Sequence, residues 1–277
     1  MSQVLRAFHE VHNLDRFPVN VAEIAQEYSR QVYPDEPITL VKGEAMSTKF
    51  EGMLQRNPNR PNEWGIFYNS AIQSKGRQNF TLGHELGHYL LHRSIAPDGI
   101  QCTTRDMLDW KSDYAQIEAQ ANTFSSFLLM PLDDFRQQID HQKASIDLMQ
   151  HLSDRYEVSL TAAILKWLSI TDQRAMIVVG KDGFIDWSWG STKLFASGVF
   201  FRGRSEVIPL PEKSLAARED MSFDNETGIR HPAGVWNETE EVTEMTIFAE
   251  IYDMTISLLL YPKFAPPRVW KDRESTQ

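Results

Sequence analysis

The sequence predicts an α+β protein. A mainly helical domain with a short sheet is expected over residues 1–172, followed by a small antiparallel-β domain over 173–277. Three observations carry this. Before about residue 171 apolar positions recur with a helical period, as Ile117, Ala121, Phe124 and Leu128 do at i, i+4, i+7 and i+11. From Arg174 onward short apolar runs are broken by turn residues, Lys181-Asp182-Gly183 being the sharpest. The chain of 277 residues is 42% hydrophobic and 24% charged, an ordinary globular composition long enough for one or two domains.

In order along the chain, residues 2–13 and 20–32 read as helices joined through Pro18, with Asn20 as an N-cap. A polar, proline-containing stretch at 56–63 leads into WGIFYNS, an apolar run of strand composition. Residues 73–93 form the next predicted helix, and a polar segment without period follows from Ser94 to Lys111. The helix DYAQIEAQANTFSSFLLMP is closed by Pro131, whose ring a continuing helix cannot accommodate. LDDFRQQID, the stretch around KASIDLMQHLSDRY, and SLTAAILKWLSI from Ser159 add further helices. AMIVVG and FIDWSW then form a hairpin, FASGVFFRG and EVIPL are expected to add strands, residues 211–234 to form a long loop, and TEMTIFAEI with MTISLLLYP to close the sheet.

Several function classes are disfavoured at once. The formal net charge is −10 with no lysine/arginine block, which argues against a broad nucleic-acid-binding face. Apolar runs such as ISLLLY are too short to span a bilayer. The start, MSQVLRAFHEVHNLDRF, has no apolar core of signal-peptide length, and with Cys102 as the single cysteine no intrachain disulfide forms. A cytoplasmic protein is expected.

Chemistry concentrates in FTLGHELGHYLLH, residues 80–92. On a helix His84 and His88 lie one turn apart on the same face, so their imidazoles can converge on one ion. Zinc takes such nitrogens at about 2.0–2.1 Å, and catalytic sites keep three protein ligands plus an open position. Glu85 follows the first histidine and can lean toward that position as a general base. Gly87, costing roughly 1 kcal/mol relative to alanine in mid-helix, suggests close packing by another element. A His-Glu-x-x-His string alone arises by accident in on the order of one chain in a hundred at ordinary composition, so a third ligand must be found.

His92 continues the series, but three ligands along one straight helix would span about 12 Å at 1.5 Å per residue, too far to share an ion. It is placed instead at the helix C-terminus, where imidazole suits the dipole. The better candidate is Glu118, on a second amphipathic helix with Ala115, Ala119 and Ala121 nearby to permit close approach. Asn122, one turn on, could hold the carboxylate or a ligand histidine by a hydrogen bond. Taken by itself, Glu118 would read as a solvated carboxylate.

FTLGHELGHYLLH followed by IEAQANTFSSFLLMP resembles the ImmA/IrrE-type metallo-endopeptidases of bacteria and their mobile elements. Those carry F-T-x-A-H-E-x-G-H-x-L-x-H and then E-x-x-A-N-x-F-A-x-x-L-L-M-P. FPVNVAEIA, EWGIFYN and RYEVSLTAAILKWL resemble the same family, so the likeness runs over roughly residues 17–170. It implies a zincin-like domain with one zinc ion per chain on His84, His88 and Glu118, and Glu85 as the catalytic glutamate. It also implies peptide-bond hydrolysis, with a helix-turn-helix repressor as protein substrate in a stress-response or mobile-element regulatory circuit. Gly83 stands where the family has alanine, and Ser125 and Ser126 replace small apolar residues; no ligand position is lost.

For the remainder, Trp64–Asn69 could be an edge strand that pairs with an extended substrate or a buried core strand. His151, Arg155 and Tyr156 are candidate oxyanion donors, with nothing to choose among them. Cys102 is either a fourth, soft metal ligand or a packed thiol. Trp187, Trp189, Trp236 and Trp270 belong to a core, an interface or a ligand-sensing pocket. The alternative function is a non-hydrolytic regulatory binding module with a structural or vestigial zinc site. Intact Glu85 argues against it, because a retired site has no need of a general base.

Overall fold

The computed structural model describes residues 16–47, 50–96, 99–103, 113–203, 205–218, 223–249 and 253–265. The helix expected at 2–13 lies outside these residues, as does Trp270. Packing divides the chain into two compact units: Met1–Gln142 with Gln150–Ala163, and Lys143–Met149 with Ile164–Gln277. In this division the second unit takes a short earlier segment, Lys143–Met149, and the end of a helix from Ile164.

The first unit begins with α1 (Val21–Val32), where the Asn20 side chain accepts from Glu23 N. Its buried residues Val21, Ala25 and Ser29 are spaced one turn apart, and Ser29 Oγ accepts from Ile38 N at 2.9 Å, fastening the helix to the first strand. Strands β1 (Ile38–Glu44), β2 (Phe50–Asn57), β3 (Arg60–Asn69) and β4 (Gly99–Thr103) form a sheet in the order β1-β3-β2-β4. β1 runs parallel to β3, and the other pairings are antiparallel.

This sheet decides one open alternative and revises two expectations. Trp64–Asn69 is not an edge: β3 is hydrogen-bonded on both sides, and Trp64 and Ile66 are fully buried. The polar stretch at 56–63 is the β2–β3 hairpin, and the segment after Ser94 supplies β4. Buried Asn69 ends β3 by ordering the preceding connection. Its amide nitrogen donates to the carbonyls of Met46, Ser47 and Phe50, and its oxygen accepts from Met46 N and Ala71 N.

The helices of this unit are α2 (Lys75–His92), α3 (Asp113–Leu129) and α4 (Leu132–Ile139); α5 (Ile146–Tyr156) and α6 (Leu160–Ile170) cross from one unit to the other along the chain. Ser74 caps α2, its side chain accepting from Arg77 N. Among the described residues, no helix is long and apolar enough to cross a membrane.

The second unit holds an antiparallel sheet in the order β6-β5-β9-β8-β7: β5 (Ala175–Lys181), β6 (Phe184–Gly190), β7 (Ile229–His231), β8 (Val242–Ala249) and β9 (Met254–Leu260). Asp182 and Gly183 join β5 to β6 with φ of 51° and 81°, the two left-handed positions of a primed hairpin turn. FASGVFFRG does not form a strand. Ser191 caps a short helix, α7 (Thr192–Ala196), and the chain then runs irregularly to a single bridge between Pro209 and Phe184. The expected loop at 211–234 contains a 3-10 turn, Leu215–Ala217, and β7.

A buried carboxylate organises this unit. Glu244 accepts from the backbone nitrogens of Leu215 and Ala216, from Trp236 Nε1 and from Thr246 Oγ1. Arg174 and Glu240 form a second buried pair, at 2.5 and 2.9 Å. Trp236 is thus a core residue, whereas Trp189 is 47% exposed and meets Phe195 edge to face.

Candidate metal centre

Two helices build the site. On α2 the run from Thr81 to Tyr89 is buried without interruption, which an amphipathic helix achieves only when it is covered on several sides. The cover from α3 is close because glycines face it. A Cβ on Gly87 would stand 3.2 Å from Ala121 Cα, and one on Gly83 2.5 Å from Ser125 Oγ. Of the three alanines expected at this contact, Ala121 makes it; Ala119 is exposed. On the opposite side β2 leans on the same helix, since a Cβ on Gly52 would fall 2.4 Å from Thr81 Cγ2 and 2.8 Å from Glu85 Oε1.

The result is a buried group of His84, His88 and Glu118 whose possible ligand atoms all lie within 4.8 Å of one another. His84 Nε2 and His88 Nε2 are 2.8 Å apart, and Glu118 places its oxygens 3.1 Å from the first and 3.3 Å from the second. Glu85 is fully buried, one residue after His84. Three electron-pair donors this close repel unless a proton or a cation is shared among them. Their separations suit a small tetrahedral cation, whose ligands at about 2.0–2.1 Å stand about 3.3 Å from each other. Two imidazoles and one carboxylate also make a donor set appropriate to zinc.

Hydrogen bonds around the group aim the rings. His84 Nδ1 is 2.9 Å from Asn122 Oδ1, an acceptor, so the imidazole carries its proton there and turns Nε2 bare toward Glu118. Asn122 therefore contacts a histidine of the group. Electrostatics agree. Burial alone would raise the Glu118 pKa, but the hydrogen bonds and positive charge that His84 and His88 offer it when protonated outweigh burial and hold the carboxyl at about 2. Burial disfavours charge on His84 too, yet the hydrogen bond to Glu118 and the negative charges of Glu85 and Glu118 raise its pKa. On His88 burial prevails and the pKa falls, despite the bond to Glu118. The site thus presents an ionised oxygen beside two imidazoles, an environment that attracts a cation.

Other candidates fall elsewhere. Tyr156 donates to Asp134 Oδ2, Arg155 grips the same carboxylate with two bonds, and His151 meets Gln138; all three are engaged with α4. The Cys102 side chain lies outside the described residues, and its backbone pairs with Gly52. His92 is in the last turn of α2, as expected, but it is 3% exposed and not turned to solvent. Its Nδ1 lies 3.0 Å from His88 Nδ1 and its Nε2 2.9 Å from Gln120 Oε1. The i, i+4 spacing from His88 was the signal for this contact; nothing pointed to Gln120.

No curated protein matches the chain significantly. Among solved structures, a Mycobacterium tuberculosis transcriptional regulator is similar, with a TM-score of 0.54 and 14% identity over 94% of this chain and 75% of that one. At that identity the likeness is one of fold. The model of the peptidase M78 family, described as the IrrE N-terminal-like domain, matches residues 38–168, a span that contains the sheet, both histidines, Glu85 and Glu118. Residues 38–168 thus carry the likeness to the IrrE N-terminal-like domain of the peptidase M78 family.

Proposed function

We propose that this protein is a zinc-dependent endopeptidase with one zinc ion per chain, held by His84, His88 and Glu118. The observation that carries the reading is the convergence of three buried donors at 2.8–3.3 Å, with the Glu85 carboxylate in the next helical position. A zinc ion bound there would supply Lewis-acid chemistry, polarising a peptide carbonyl and bringing the pKa of a water toward about 7. Glu85, positioned by β2 at Gly52, takes a proton from the attacking water and delivers it to the leaving amine as the C–N bond breaks. Asn122, 2.9 Å from His84 Nδ1, would hold the ring so that Nε2 is the nitrogen left to take the ion. The fully buried setting of Glu85 excludes bulk water from this exchange.

For the substrate we infer a DNA-binding repressor of the helix-turn-helix kind. Support comes from the sequence resemblance and from the name of the structurally similar mycobacterial protein, a transcriptional regulator. The antiparallel-β unit recruits or regulates and contributes no metal ligand, since all four assigned positions precede it. The test incubates zinc-loaded protein with the purified repressor encoded beside its gene and reads cleavage by mass spectrometry, alongside metal analysis of His88→Ala. Full zinc occupancy in His88→Ala would refute the ligand assignment. A wild-type protein that binds zinc but leaves this repressor intact would remove the substrate inference alone.

A further inference from the structure

We propose that His92 and Gln120 form a positioning relay that fixes the His88 imidazole in the one tautomer able to bind metal. The inference rests on the reading of His84, His88 and Glu118 as ligands and deepens it. Gln120 Oε1 is an acceptor, so His92 Nε2, 2.9 Å away, carries the ring proton. His92 Nδ1 is then bare and accepts from His88 Nδ1 at 3.0 Å. His88 must therefore hold its proton on Nδ1, which leaves Nε2 with a free electron pair, and Nε2 is the atom 3.3 Å from Glu118 Oε1.

The same logic serves the other imidazole through Asn122. The consequence is that α3 carries Glu118 and an anchor for each ring within five residues. Glu118 enters the donor group, while Gln120 and Asn122 anchor one ring each, His88 indirectly and His84 directly. A carbonyl or carboxylate ordinarily holds the far nitrogen of a metal-binding histidine. Here a second histidine stands in that place, and its own far nitrogen is fastened in turn. The i, i+4 spacing of His88 and His92 makes the ring-to-ring contact possible along one helix face. It also explains why a polar residue occupies a position 3% exposed that lies too far along the helix to be a ligand itself.

The relay makes predictions that a merely space-filling histidine does not. In the full-length chain, stripped of metal and titrated with zinc against a competing chelator, His92→Leu should raise the zinc Kd roughly ten- to hundredfold. Gln120→Leu, at an exposed position, should do so to a smaller extent. His92→Asn, whose side-chain oxygen restores an acceptor, should recover most of the affinity. The cobalt(II)-loaded forms should show altered ligand-field bands in His92→Leu and near-normal bands in His92→Asn. In the zinc-loaded wild type, isotope-labelled imidazole nitrogens should show His88 protonated on Nδ1, with a scalar coupling across the hydrogen bond to His92. Wild-type affinity in both His92→Leu and Gln120→Leu would overturn the relay. So would absence of that coupling, which needs no variant to fold. If instead the wild type binds no zinc, or His88→Ala binds it equally well, the metal site itself fails and the relay with it, an outcome distinct from the first.

Discussion

Gly83 on α2 and Ser125 on α3 fill one space between them: a Cβ at residue 83 would lie 2.5 Å from Ser125 Oγ, which itself donates to the Phe80 carbonyl at 2.9 Å. The family pattern has alanine at both positions, so the atom missing at 83 returns as the hydroxyl at 125. Their close approach sets the distance between the helix that carries His84 and His88 and the helix that carries Glu118.

A double-mutant cycle tests this exchange. Gly83→Ala should gain roughly 0.8–1 kcal/mol of helix propensity but lose about 1–3 kcal/mol to overlap, for a net destabilisation. On a Ser125→Ala background the 2.5 Å contact is removed and the nearest atom is the residue-125 Cβ at 3.2 Å, so the same substitution should become much less destabilising or neutral. Denaturant unfolding of the four proteins gives the coupling energy. Additive effects would show that Ser125 simply rotates away.

How legible the protein was in its sequence depends on where each element finds its stability. α2 and α3 carry their own evidence, through the His84/His88 spacing, the helical period of Ile117, Ala121, Phe124 and Leu128, and termination by Pro131. β1 and β2 do not. In β1 only Ile38 is buried, and the strand exists because it pairs in parallel with β3. β2 carries Gly52, which weakens a strand pattern and is there for contact with Glu85. In the site, the His84/His88 pair follows from spacing on one helix. The His92–Gln120 contact joins residues 28 apart in sequence, and no local pattern encodes it.

Glu85→Gln preserves shape and removes the base. Turnover should fall by about 10²–10⁴-fold or more, with zinc content and unfolding midpoint nearly unchanged. Metal analysis beside a cleavage assay checks both halves. Cleavage at the wild-type rate would mean that another group takes the proton, and would remove the role assigned to Glu85.

Gly52→Ala probes the same carboxylate from the strand side. The added methyl would stand 2.4 Å from Thr81 Cγ2, 2.8 Å from Glu85 Oε1 and 3.1 Å from the Phe67 carbonyl, so Glu85 must yield. A displacement of about an ångström costs on the order of 10²-fold in rate. The expected signature is a fall in kcat with zinc affinity retained, because the three atoms nearest the added methyl belong to Thr81, Glu85 and Phe67 and not to a ligand. Unchanged kcat would mean that β2 does not place the base.

Glu244→Gln addresses the independence of the antiparallel unit. The carboxylate accepts four hydrogen bonds, from Leu215 N, Ala216 N, Trp236 Nε1 and Thr246 Oγ1, and His231 Nε2 lies 2.8 Å away. An amide in its place turns an N–H toward donors and leaves at least one of them buried without an acceptor. Removing one partner of such a network costs about 3–5 kcal/mol. Calorimetry should therefore show the second unit melting earlier, while metal analysis still finds one zinc per chain on His84, His88 and Glu118. Loss of zinc from Glu244→Gln at a temperature where the first unit remains folded would show that the β unit takes part in holding the metal.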